Sequence, residues 1–169
     1  MKSVKRISVF LVIVSAFFGL FMKVDQHRDY IVQSKIIDNA FKLDSYSGYI
    51  LIPRFGIKRL IKSGTDDSVL DSGYVGIYEF SGDLSSNDLI ILAGHNIPNV
   101  FSKLHDISIG DIVFVNNGSD RKFIVYDRKI VSESDFSYFY NRNNELMLIT
   151  CDKKGYRLLV FLKEDLWVF

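Results

Sequence analysis

Apolar and polar positions divide the chain into three textures. From Ile7 to Met22 the residues ISVFLVIVSAFFGLFM carry no charge, with Lys2, Lys5 and Arg6 before them and Lys23 after. At about 1.5 Å per residue this run is slightly shorter than a hydrocarbon layer of roughly 30 Å, a mismatch that flanking Lys and Arg side chains absorb by snorkelling. GLFMKVDQHR, which spans the end of this run and the residues after it, offers no small-x-small cleavage site, so the pattern predicts an uncleaved anchor rather than a signal peptide. Three positive charges precede the span and a mixed set (Lys23, Asp25, Arg28, Asp29) follows it, which places the N-terminus in the cytoplasm and the rest of the chain outside.

The second texture, VDQHRDYIVQSKIIDNAFKLD, lacks Pro and Gly and repeats apolar residues at Val24, Ile31, Val32, Ile36, Ala40 and Phe41. That loose helical spacing predicts a stalk or a helix packed on the following domain. His27 lies in it and carries no role.

From Ser47 onward, short apolar runs are punctuated by Gly, Asn, Asp and Ser. They are GYILIP, FGIKRLI, DLIILAG, DIVFVNN, RKFIVYDRKIV, ELMLITC and YRLLVFLKE, each of strand length and rich in Ile, Val, Tyr and Phe. Only brief helical turns fit between them, NVFSKLHDI being one. The expectation is an all-β barrel or sandwich. The divisions are then a cytoplasmic tail (1–6), a transmembrane anchor (7–23), a helical stalk or N-terminal helix (24–46) and a β domain (47–169).

Composition narrows the function classes. With 169 residues, 48% apolar content and 2 Pro, the chain can build one domain with a substantial core. Its 21 basic and 20 acidic residues leave a net charge of +1, too little for the field a nucleic-acid binder uses. The single cysteine, Cys151, has no partner for an internal disulfide; it is either a small buried apolar residue or a reactive thiol.

Placement favours the thiol. DLIILAGHN ends in Gly94-His95-Asn96, ELMLITC ends in Cys151, and YRLLVFLKE carries Arg157 near its start. Residues at strand ends on one rim of a barrel converge although distant in sequence. A thiol near an imidazole suits nucleophilic catalysis, and a neighbouring guanidinium suits a developing oxyanion.

LAGHN, LITC and the following RLLV resemble the His, Thr-Cys and Arg motifs of the sortases, membrane-anchored cysteine transpeptidases of Gram-positive cell surfaces. GYILIPRFGIKRLIKSG resembles the first barrel strands of that family and FSKLHDISIGDIVFV the segment after its histidine, so the resemblance extends from about Gly48 to Lys163. It implies a sortase-like closed β-barrel of about eight strands with short helices. It also implies Cys151 as nucleophile, His95 as general acid and Arg157 as the residue that positions substrate and stabilises the oxyanion. Thr150 matches the threonine at the substrate groove, and Asn96, next to the histidine, is a second substrate-binding candidate; His105 matches no catalytic position and reads as a surface residue.

The implied reaction cleaves an LPXTG-like sorting motif of surface proteins and passes the acyl group to an amine of a cell-wall precursor or another protein. Arg157 follows Cys151 by six positions, and VSESDFSYFYNRNN, before the last two strands, lacks room for the long helix of class B sortases. No class C lid or second membrane span is visible, which leaves a class A-like or class D-like enzyme. No cofactor is implied. Glu79, Asp83, Glu133 and Asp135 are the residues a class A type of calcium site would draw on, and otherwise read as solvated loop charges. A thiol hydrolase using water, or a non-catalytic membrane-anchored binding module with Cys151 as packing, remain alternatives.

Overall fold

The computed structural model describes residues 46–139 and 143–165. The tail, the anchor and all but the last residue of the stalk lie outside the described residues, and among the described residues no helix is long and apolar enough to cross a membrane.

The described residues form eight strands: β1 (Gly48–Ile52), β2 (Ile57–Ser63), β3 (Val75–Ile77), β4 (Ile90–Ala93), β5 (Ile112–Asn116), β6 (Asp120–Ser132), β7 (Glu145–Cys151) and β8 (Tyr156–Glu164). They close in the order β1-β2-β3-β4-β7-β8-β6-β5, with β5 returning to β1. Closure leaves no unpaired edge strand among the described residues. Most pairs are antiparallel; β2–β3 and β4–β7 are parallel. The seven apolar runs of the sequence became β1, β2 and β4 to β8, and NVFSKLHDI holds the predicted turn as a 3-10 segment, Ser102–Asp106. β3 escaped the pattern because it is only three residues long with Gly76 at its centre.

Two apolar layers explain the burial. Ile50, Ile52, Leu92, Leu148, Val160 and their neighbours fill the barrel interior. A second cluster, including Ile91, Ala93, Met147, Ile149, Leu159 and Phe139, covers the outside of β4, β7 and β8. β1 therefore alternates buried and half-buried positions, whereas β4 is buried throughout and β7 is buried from Glu145 to Thr150. A parallel strand covered on both faces reads as a continuous apolar run, which is the texture of DLIILAG and ELMLITC. The exposed residue of β7 is its last one, Cys151.

Candidate active site

Strand register builds the site. β4 runs parallel to β7, with Ala93 opposite Ile149, and the Gly94 amide still donates to the Ile149 carbonyl at 3.0 Å. Parallel neighbours end at the same rim, and two residues beyond that pair on the two strands are His95 and Cys151. β8 pairs antiparallel with β7, and Arg157 stands directly opposite Cys151. Side chains at matching register share a face, and a step of two returns to it. His95, Cys151 and Arg157 thus continue the face of Ala93, Ile149 and Leu159, outside the barrel, where the apolar cover gives out.

Those three side chains line one cleft of about 170 Å³, together with Thr65, Leu70, Tyr78, Ala93, Gly94, Ile149 and Thr150. Leu70, Ala93 and Ile149 give it apolar wall, and the polar groups of His95, Cys151 and Arg157 converge on it, a combination that suits a ligand site. The turn between β7 and β8 is tight because Gly155 takes a left-handed φ of 81°, open to glycine at no steric cost. Gly94 is required for a different reason. A Cβ there would stand 2.7 Å from the Phe101 ring, so the loop after β4 could not pack down.

The histidine loop is further held by the Phe101 amide, which donates to the His95 carbonyl at 3.2 Å, and by Arg59 of β2, whose Nε donates to the Asn99 carbonyl at 2.6 Å. His95 Nε2 lies 2.9 Å from Asp71 Oδ1, a carboxylate with 72% of its side chain exposed. Asp71 closes the short helix α1 (Asp67–Leu70), whose Leu70 also lines the cleft. At the start of α1, Asp66 accepts from the Val69 amide as an N-cap, and the Ser68 hydroxyl, then that amide, hold its carboxyl below the usual carboxylate range.

The other expected residues fall as follows. Thr150 borders the cleft but is only 2% exposed, and its Oγ1 has no hydrogen-bond partner among the described residues. Asn96 is not among the residues lining the cleft, and its Nδ2 donates to the Cys151 carbonyl at 2.9 Å. The same Nδ2 lies 3.3 Å from Nε2 of His105, whose Nδ1 is 3.5 Å from Asp152 Oδ1. The sequence reading gave His105 no partner; it stands in a hydrogen-bonded chain that reaches the nucleophile candidate. Asp71, Tyr78 and Asp152 were likewise missed. Nothing local marks them, because each acquires its place only when β4, β7 and the α1 segment come together.

Among the described residues no three of His, Cys, Asp and Glu gather as metal ligands. Asp135 accepts from the Ser137 hydroxyl and amide, which hold its carboxyl low, and Asp83 receives the Ser85 amide.

A closed barrel with an exposed cysteine, a histidine and an arginine converging on one rim cleft defines the kind of protein this is: a barrel bearing a thiol–imidazole–guanidinium site. The family model for the sortase domain matches residues 50–165, and the chain belongs to the sortase family, a family of cysteine transpeptidases. Its structure is similar to that of sortase C-1 from Actinomyces oris, with a TM-score of 0.67 and 25% identity over 73% of this chain and 74% of that one. A pilus-related sortase C of group B Streptococcus gives 0.67 and 25% over 73% and 69%. Listeria monocytogenes sortase A, at 22% identity, shares the fold with a TM-score of 0.65 over 72% and 88%. No curated protein matches the chain at a significant level of sequence similarity.

Proposed function

We propose that this protein is a transpeptidase that cleaves an LPXTG-like sorting motif and transfers the acyl fragment to an amine. The observation that carries this reading is the register that brings His95, Cys151 and Arg157 from three adjacent strands to one cleft. In the forward half-reaction the Cys151 thiolate adds to the carbonyl of the Thr-Gly bond, and the carbonyl electrons move onto oxygen. Arg157 meets that oxyanion with oriented N–H donors. Collapse re-forms the carbonyl and breaks the C–N bond, while protonated His95 gives its proton to the departing amine. A thioester on Cys151 remains.

In the second half an incoming amine adds to the thioester carbonyl and neutral His95 accepts its proton. Collapse expels the thiolate and leaves a new amide. These steps use side chains alone and call on no metal or cofactor. The substrates are surface proteins bearing the sorting motif; the amine comes from a cell-wall precursor or a second protein. The anchor of residues 7–23 holds the enzyme in the membrane with its catalytic domain outside the cell. The short 3-10 segment Ser137–Phe139 before β7, where a class B enzyme carries a long helix, supports a class A-like or class D-like anchoring role.

The test is intact-mass analysis of the full-length protein incubated with a Leu-Pro-X-Thr-Gly peptide library. The wild type gains an acyl adduct that an added amine removes, and Cys151→Ala gains none. An adduct of equal yield in Cys151→Ala overturns the assignment.

A further inference from the structure

The last backbone bond of the β4–β7 ladder is made by Gly94, one residue before His95. Beyond it, on the side facing Cys151, the loop is joined to β7 by a side chain. Asn96 Nδ2 lies 2.9 Å from the Cys151 carbonyl and 3.3 Å from His105 Nε2. A primary amide carries two N–H groups, enough to serve both acceptors. This assignment requires His105 Nε2 to bear a lone pair, so the ring proton sits on Nδ1, facing Asp152 Oδ1 at 3.5 Å. Donation then spreads from the Asn96 amide in two directions, to the Cys151 carbonyl and to His105 Nε2, with the His105 Nδ1–H turned toward the Asp152 carboxylate.

His105 is itself firmly seated. Its carbonyl accepts from Arg128 Nη1 at 2.6 Å, the same nitrogen reaches the Ile107 carbonyl at 3.2 Å, and Leu104 beside it is fully buried. The chain therefore starts on a fixed support and ends on the peptide unit of the nucleophile candidate.

Resting on the reading of Cys151 as nucleophile, we infer that Asn96, held by His105 and Asp152, is a latch that sets the position of His95 against Cys151. Asn96 and His95 are consecutive, so tying the Asn96 side chain to the Cys151 carbonyl holds the His95 backbone beside that of the nucleophile, while Asp71 meets the imidazole at Nε2. Asn96 and His105 are thus positioning residues, and Asn96, expected to touch substrate, instead serves the geometry of the pair. Misplacing a reacting group by about 1 Å costs on the order of 100-fold in rate.

The experiment uses the full-length protein and four variants: Asn96→Asp, Asn96→Ala, His105→Ala and His105→Gln. Asn96→Asp keeps the shape but replaces both N–H donors with a carboxylate that repels the Cys151 carbonyl. Gln at position 105 retains an acceptor for the Asn96 amide, whereas Ala does not. With a Leu-Pro-X-Thr-Gly peptide and triglycine, both Asn96 variants are expected to lose about 10- to 100-fold in kcat with KM within about twofold. His105→Ala loses less, about 5- to 10-fold, and His105→Gln recovers most of it. Thermal midpoints for all four variants identify any that fail to fold, and Asn96, being exposed, has the least to lose.

A second readout does not depend on acyl transfer. The rate at which iodoacetamide alkylates Cys151 reports the surroundings of the thiol, and it changes at least threefold in both Asn96 variants. Activity of Asn96→Asp within twofold of wild type overturns the latch, as does a loss in His105→Ala that His105→Gln does not recover. If the wild type fails to acylate any peptide, the transpeptidase reading fails while alkylation still decides: rates within twofold of wild type in both Asn96 variants overturn the latch on their own.

Discussion

The interior of the barrel and the rim above β4 and β7 are made from the same strands under different rules. Inside, Leu92, Leu148 and Val160 need only be apolar and of suitable size, and any sequence that supplies them in alternation collapses to much the same core. At the rim, His95, Cys151 and Arg157 contribute little burial; their value lies in register, one residue more or fewer on any strand turning a side chain to the opposite face. The interior therefore specifies stability and the rim specifies geometry. Substitutions in the two places should separate cleanly in what they damage.

The largest effect is expected inside. Leu148 is fully buried in the interior cluster, two residues before Thr150 on β7. Leu148→Ala removes its packing and leaves a cavity, at a cost of about 2 to 5 kcal/mol in unfolding free energy. Urea titration measures the loss, and the fraction still folded should acylate peptide at close to the wild-type rate. A folded fraction with activity reduced tenfold or more would mean that core and rim are not separable on this strand.

Arg157 is the converse case. Losing one oxyanion donor costs on the order of 100- to 1000-fold in rate, about 3 to 4 kcal/mol. Arg157→Ala approaches that loss in kcat/KM, and Arg157→Lys loses somewhat less, because an ammonium is a point donor without the guanidinium fork. Neither should move the urea midpoint appreciably, since Arg157 is not part of either apolar cluster. If Arg157→Lys stays within about twofold of wild type in kcat/KM, the oriented-donor role is wrong and charge alone suffices.

The same division governs what the sequence disclosed. Alternating and continuous apolar runs are local signals, so β1, β2 and β4 to β8 were readable, and so were three strand-end residues whose motifs lie beside those runs. β3 was not, because Val75–Ile77 has too few side chains to set a period and is held in place through its parallel pairing with β2. The sequence also could not show that His105 belongs with Asn96 and Asp152. His105 meets Asn96 within one loop, nine positions apart, but the parallel pairing of β4 with β7 is what brings Asp152 and the Cys151 carbonyl to that pair. Asp71 meets His95 because the four-residue helix it closes packs beside β3, the neighbour of β4, and it has no recognisable spacing to the histidine.

Thr150 sits on the boundary between the two regions and gives the smallest and sharpest test. Strand alternation places it on the Leu146 and Leu148 side of β7, its exposure is 2%, and its hydroxyl has no partner among the described residues although the residue borders the cleft. A buried hydroxyl without a partner loses its hydration and receives nothing in return, a deficit of roughly 1 to 3 kcal/mol. If the hydroxyl is kept for a substrate group, its two effects have opposite signs. Thr150→Val should raise the unfolding free energy by about 1 kcal/mol while lowering kcat/KM for the sorting peptide, and Thr150→Ser should keep the activity. Urea midpoints and peptide kinetics on the three proteins decide the matter. A Thr150→Val protein that is less stable than wild type would show that the hydroxyl belongs to the interior, whereas one that is more stable and equally active would remove Thr150 from the substrate site altogether.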